Sequence, residues 1–209
     1  FEIGLRSSGN TRFAYEVSYF NTSFEDMLIY PSIGAGGATD ASQVGEVDTQ
    51  GFEILLAANL GNDSVGVPLQ AAVTYTNAEF GTSMEALKDD PENRYDNASK
   101  GNKIPFIPEL QYNIRAGLEL EKFSTYLNYH WQDKVYVNGS NSIEINGFDS
   151  TIHSYGILDW SGFFEIKEGV SAFAKVTNRA DEEYAMSDLP DGYRPGAPRI
   201  WSIGMEFDF

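Results

Sequence analysis

The sequence has 209 residues, enough for one or two domains, and 42% of them are hydrophobic, which excludes a disordered or collagen-like chain. Lys and Arg number 14 against 31 Asp and Glu, a formal net charge of -17, and so acidic a chain excludes a nucleic-acid partner, because phosphate binding needs clustered cations. With no cysteine, thiol catalysis, disulfide frameworks and thiolate zinc sites fall away.

No run of about 18 apolar residues occurs, so there is no transmembrane helix, and a mean hydropathy of -0.33 is the value of a soluble protein. A membrane β-barrel has the same average, because its apolar residues occupy only every second strand position. The pattern along the chain therefore decides.

The chain opens with Phe1-Glu2-Ile3-Gly4-Leu5-Arg6, which alternates like a strand already under way rather than like a basic and then apolar leader, and we read it as the start of a segment of a longer protein. Period-two alternation then predicts strands near 1–6, 11–30, 46–60, 66–80, 107–120, 122–137, 152–166, 169–184 and 198–209. In 51–60, Phe52, Ile54 and Leu56 oppose Glu53 and Asn59. In 107–120, Leu110, Tyr112, Ile114, Ala116 and Leu118 oppose Gln111, Asn113, Arg115, Gly117 and Glu119. Phe123, Leu127, Tyr129 and Trp131 oppose Ser124, Asn128, His130 and Gln132, with Thr125 and Tyr126 blurring the pattern. At the end, Trp201, Ile203, Met205, Phe207 and Phe209 oppose Ser202, Gly204, Glu206 and Asp208. Ordinary strands run about 5–6 residues, whereas a tilted membrane-spanning strand needs roughly 9–11, so the lengths favour a membrane wall.

The connections alternate in size: short at 7–10, 61–65, around Glu121 and at 167–168, long at 31–45, 81–106, 138–151 and 185–197. Such an up-and-down meander with unlike rims is the pattern of an outer-membrane barrel, with short periplasmic turns and long extracellular loops. Tyr15, Tyr19, Tyr112, Tyr129, Trp131, Trp160 and Trp201 fall on the apolar faces, as an interfacial girdle requires. A passive porin and a soluble β-sandwich binding module give related alternation and stand as the alternatives.

The segment Asn178-Arg179-Ala180-Asp181-Glu182-Glu183-Tyr184 resembles the N-L-x-D-x-x-Y signature of the penultimate strand of TonB-dependent receptors, departing from it at Arg179 and Ala180. Gly192-Tyr193-Arg194-Pro195-Gly196-Ala197-Pro198-Arg199 is similar to that family's last loop, and the chain stops, like its members, at a phenylalanine. Gly101 to Glu109, with Pro105 and Pro108, resembles the family's G-x-x-x-P-x-x-P approach to a strand, and prolines suit a strand's first residue because they cannot donate to a ladder. Gln50-Gly51-Phe52-Glu53 resembles its x-G-x-E strand start, with Gly51 expected at a bulge or kink.

The resemblance, nearest to ferric citrate and siderophore receptors, implies an all-β fold: a transmembrane antiparallel up-and-down barrel of roughly 22 strands. Residues 1–209 would supply about nine of its C-terminal strands, while the plug domain, the TonB box and the earlier strands would lie outside this chain. It also implies uptake of a scarce nutrient, a ferric siderophore or other iron chelate, driven by TonB, in the bacterial outer membrane among lipid and lipopolysaccharide. No cofactor and no enzymatic step are implied.

For ligand contact we expect the last loop: Asp188, Asp191 and Arg194, with Tyr193 as an aromatic wall and Arg194 suited to a bidentate pair with a carboxylate. Other motifs carry less. The stretch Ser32 to Gly37 lacks the third glycine and the helix of a dinucleotide loop, since Thr39 stands there. His130 and His153 have no ligand partner at metal spacing and read as lumen or rim residues. Residues 88–96 are acidic without EF-hand spacing, and Asp181, Glu182 and Glu183 have no nucleophile beside them. The excess negative charge either binds divalent ions that bridge lipopolysaccharide or only aids solubility.

Overall fold

The computed structural model describes the chain apart from residues 8–11, 26–27, 30–32, 35–36, 39–41, 44, 84–97, 146, 189–191 and 209. Nine strands join into one antiparallel sheet: β1 (Glu2–Arg6), β2 (Phe13–Phe24), β3 (Val47–Asn59), β4 (Pro68–Phe80), β5 (Leu110–Glu119), β6 (Phe123–Gln132), β7 (Tyr155–Lys167), β8 (Val170–Thr177) and β9 (Ile200–Phe207). Their order in the sheet is their order in the chain, the meander expected from the alternating connections. Six of them, β2 to β7, run 10 to 13 residues, long enough to cross hydrocarbon when tilted.

Three expected strands end early. The second stops at Phe24 rather than 30, the sixth at Gln132 rather than 137, and the eighth at Thr177 rather than 184. In each case the chain continues into a small ladder at the long-loop rim: Leu28–Ile29 with Ser42–Gln43, Val135–Tyr136 with Thr151–Ile152, and Ala185–Ser187 with Arg194–Pro195. In the second and sixth strands the ladders share the two-residue period of the wall, so alternation alone runs them together, whereas the eighth is cut short by the turn at Asn178 and Asp181.

Register sorts the side chains. One cross-strand row runs Phe13, Ala58, Leu69, Ala116, Leu127, Trp160, Val176 and Trp201. Shifted by a residue, the row on the other face runs Ala14, Ala57, Gln70, Arg115, Asn128 and Asp159. Among the described residues no second layer covers the apolar face: Trp201 is 70% exposed and Ile203 84%. A soluble protein covers such a face, whereas a barrel wall leaves it for lipid. Buried apolar side chains instead gather at the long-loop rim, in one cluster of Val47, Phe80 and Ala98 and another of Val135, Val137 and Ile152. These clusters fasten the long connections to the top of the wall.

Three inward aromatic rings each lie over a glycine directly across the ladder: Phe20 over Gly51, Tyr126 over Gly117 and Phe173 over Gly204. A Cβ at Gly51 would stand 2.0 Å from the backbone carbonyl of Tyr75 and 2.6 Å from the Phe20 ring. Gly51 thus lets a backbone carbonyl and a ring approach closely, in unbroken register with both neighbours and without the bulge expected from its place before Phe52. A register shift occurs instead between Glu165 and Lys167, beside the tight turn at Gly169.

Candidate ligand site at the long-loop rim

The eighth strand ends at Asn178, and this residue shapes everything that follows. Asn178 is buried in a left-handed conformation (φ 49°), which asparagine tolerates better than most residues. Its side-chain amide donates to the carbonyls of Glu182 (2.8 Å) and Ala197 (2.9 Å), and its Oδ1 accepts from the N–H of Glu182 (2.8 Å). Its own N–H donates to Asp159 on β7 (2.8 Å). Asp181, also left-handed, accepts from the N–H of Arg199 (2.9 Å) and pairs with its guanidinium (3.4 Å). Asn178 and Asp181 thus tie the outgoing end of the last loop to its return. Arg179 and Ala180 are exposed between them, so the departures from the family's spacing cost no packing.

Tyr184 completes the motif by placing its ring 4.3 Å from that of Tyr155, at the start of β7. It also lies across Gly196, where a Cβ would stand 2.0 Å from the ring. Tyr155 occupies the inner face, in register with Gln132, and lines a cavity at the rim. That cavity has a volume of about 400 Å³. One side is formed by Asp149, Thr151, His153 and Tyr155, the other by Glu183, Tyr184, Tyr193 and Pro195.

Tyr193 is pinned by its hydroxyl, which is shared between the carbonyls of Asp149 (2.7 Å) and Thr151 (3.0 Å). Burial, together with the negative charges of Asp149 and Asp188, pushes its phenol above the usual range, so it stays a neutral donor. Asp149 accepts from the N–H (2.9 Å) and hydroxyl (2.8 Å) of Thr151 and pairs with Nε2 of His153 (2.7 Å). Desolvation would raise its carboxyl, but the Thr151 bonds and the His153 charge outweigh this and hold it below the usual carboxylate value.

Of the four residues expected to contact ligand, Tyr193 lines the cavity and Asp188, half-buried, stands close enough to act on its phenol. Arg194 is exposed and lies outside the lining, because alternation turns Tyr193 and Pro195 to one side and Arg194 to the other. Asp191 lies outside the described residues, as do the acidic stretch 88–96, Phe209 and half of the glycine-rich stretch at 32–37. His130 sits on the inner face 6.3 Å from the Tyr155 ring. His153 is at the rim, paired with Asp149. Among the described residues no group of three or more His, Asp or Glu is placed to hold a metal ion.

Asp149, His153, Tyr155 and Glu183 were not legible as site residues, because they come from two connections far apart in sequence. The one local signal is Asp149-x-Thr151, the spacing at which an Asp side chain bonds the backbone two residues on.

Comparison with known proteins agrees with this geometry. The family model described as TonB dependent receptor-like, beta-barrel matches residues 1–178. No curated protein matches the chain. Among solved structures, the siderophore receptor PiuA from Acinetobacter baumannii has a TM-score of 0.77 at 18% identity, covering 99% of this chain and 28% of that one. The ferric citrate transporter FecA gives 0.73 at 20%, covering 98% and 30%. The ferric-catecholate import receptor Fiu from E. coli K12 gives 0.72 at 20%, covering 100% and 27%. The chain thus spans under a third of the length of these structures, and the likeness at such identities is one of fold. With the matched family model spanning most of its length and every wall strand in meander order, the chain belongs to the TonB-dependent receptor β-barrel family.

Proposed function

We propose that the protein carrying this chain is an outer-membrane receptor that imports an iron chelate, most specifically a ferric siderophore, using energy delivered through TonB. Residues 1–209 supply the last strands of the wall and part of the outer vestibule, and the plug, the TonB contact and the remaining strands belong to other parts of the same protein. The carrying observation is the rim cavity between the last two long connections, walled by Tyr155, Tyr184 and Tyr193 beside a sheet whose apolar face is exposed. Three aromatic rings around a few polar groups are what small-molecule sites use to hold a ligand and orient it. That several solved structures sharing the fold are named as receptors or transporters of ferric chelates supports iron as cargo.

The test is uptake of radiolabelled ferric chelates by cells that express the intact receptor, with and without functional TonB. TonB-dependent accumulation is expected. Equal accumulation in both strains, with large ion conductance in planar bilayers, would instead establish a passive pore.

A further inference from the structure

The charges around the rim cavity point to a ligand class. The cavity gathers the carboxylates of Asp149 and Glu183 with the rings of Tyr155, Tyr184 and Tyr193, and among the described residues neither Lys nor Arg lines it. Its one basic group, His153, is engaged by Asp149. Of the cations nearby in the sequence, Arg199 pairs with Asp181 and Lys134 lies over the Tyr136 ring at 5.3 Å, while Arg179 and Arg194 are exposed and outside the lining. Asp188 adds further negative charge beside Tyr193. Glu183 is exposed and, among the described residues, makes no ion pair. Tyrosine faces attract cations through the negative face of the ring, and aromatic rings set beside a carboxylate are a recognised seat for ammonium groups. A polyanionic chelate would meet like charge on two sides of the cavity, and such juxtaposition is a means of rejecting a wrong partner.

We infer that the cavity bounded by Tyr155, Glu183, Tyr184 and Tyr193 seats a cationic group of the ligand, so that the transported chelate is neutral or positive and carries a free amine. This rests on the uptake reading above and narrows it. Asp149 and His153 form the far wall, the carbonyls of Asp149 and Thr151 hold Tyr193, and Glu183 supplies the charge that meets the ammonium. Arg194, turned away, does not oppose it.

The experiment uses the intact receptor in detergent and follows quenching of intrinsic tryptophan fluorescence by three probes. These are a linear ferric trihydroxamate with a free terminal amine, the same chelate N-acetylated at that amine, and a trianionic ferric tricatecholate. The amine-bearing chelate is expected to bind best, with acetylation weakening it at least fivefold and the tricatecholate weaker still. Glu183→Gln, at an exposed position where folding is undisturbed, is expected to weaken the amine form three- to tenfold and leave the acetylated form unchanged. Equal binding of the amine and acetylated forms, or tighter binding of the tricatecholate, overturns the inference while leaving iron uptake standing. Binding of none of the three overturns both.

Discussion

The indole N–H of Trp160 on β7 donates to the hydroxyl of Thr125 on β6 at 2.9 Å, and that hydroxyl donates in turn to the carbonyl of Ser161 at 3.0 Å. Thr125 is in register with Leu118 and Gly162, which puts it on the lipid-facing side of the wall and makes it the residue that interrupts an otherwise apolar row. A lone hydroxyl or indole N–H facing hydrocarbon loses its water without compensation, and here each group removes the other's penalty. Thr125→Val keeps the shape and orphans the indole. It is expected to cost about 1–2 kcal/mol in denaturant unfolding of the intact receptor, while Thr125→Ser costs much less. Equal midpoints for the valine variant and the native protein would mean the bond contributes nothing.

Asn178 holds three side-chain hydrogen bonds in a left-handed turn that alanine adopts only under strain. Asn178→Ala removes all three and leaves the carbonyls of Glu182 and Ala197 and the N–H of Glu182 without these partners. The expected loss is about 2–4 kcal/mol, local to the last loop rather than spread through the wall. Amide hydrogen exchange should therefore accelerate across 182–199 and stay unchanged in β5 and β6. Acceleration throughout the sheet would show that the turn supports the wall as a whole.

Acid should act on the rim in one direction. Because the carboxyl of Asp149 titrates below its ordinary value of 3.8, its contribution to local order is complete above that value and is lost only as pH falls through the lower folded one. The loop from Asp149 to His153 should then exchange amides at a constant protection factor from neutral pH down to the ordinary carboxylate range, loosening only in stronger acid. Asp149→Asn should show reduced protection at Thr151 even at neutral pH. The Asp149 and His153 side chains are 41% and 78% exposed, so solvent screens the pair and global stability should hardly move. A change in protection centred near neutral pH would assign control of the loop to another group.

The wall was legible because its physics is periodic. Trp201 to Phe207 alternate without exception, and a one-residue slip would turn every one of those side chains into the lumen. The absence of a bulge at Gly51 was not legible, because what crowds a side chain there is the Tyr75 carbonyl and the Phe20 ring on the two neighbouring strands, visible only once the register is known. The cavity was half legible for the same reason. Tyr193 stood out beside its glycine and prolines, but Asp149 reaches it from the connection before β7 and Tyr155 from that strand's first residue, and only the folded rim leaves Arg194 outside the lining.

Neighbouring residues on β9 offer the sharpest test of which side of the wall meets lipid. Ile203 is in register with Ala174 on the apolar face, and Ser202 is in register with Lys175 on the polar face beside an inner hollow that also includes Arg115 and Asp159. A charge on the lipid face of a membrane barrel costs about 2–4 kcal/mol near the midplane and falls toward zero at the interfaces, whereas a lumen charge meets water. Ile203→Arg is therefore expected to lower folding yield and stability in lipid bilayers by an amount within that range, and Ser202→Arg to change stability by less than about 0.5 kcal/mol. Alternation in the two effects should continue down the strand, with Met205→Arg damaging and Glu206→Arg mild. Were the apolar face covered by protein rather than lipid, the penalty at Ile203 would persist in detergent-free buffer and would not vary with bilayer thickness. Dependence on depth and on lipid is what identifies hydrocarbon as the solvent of this face.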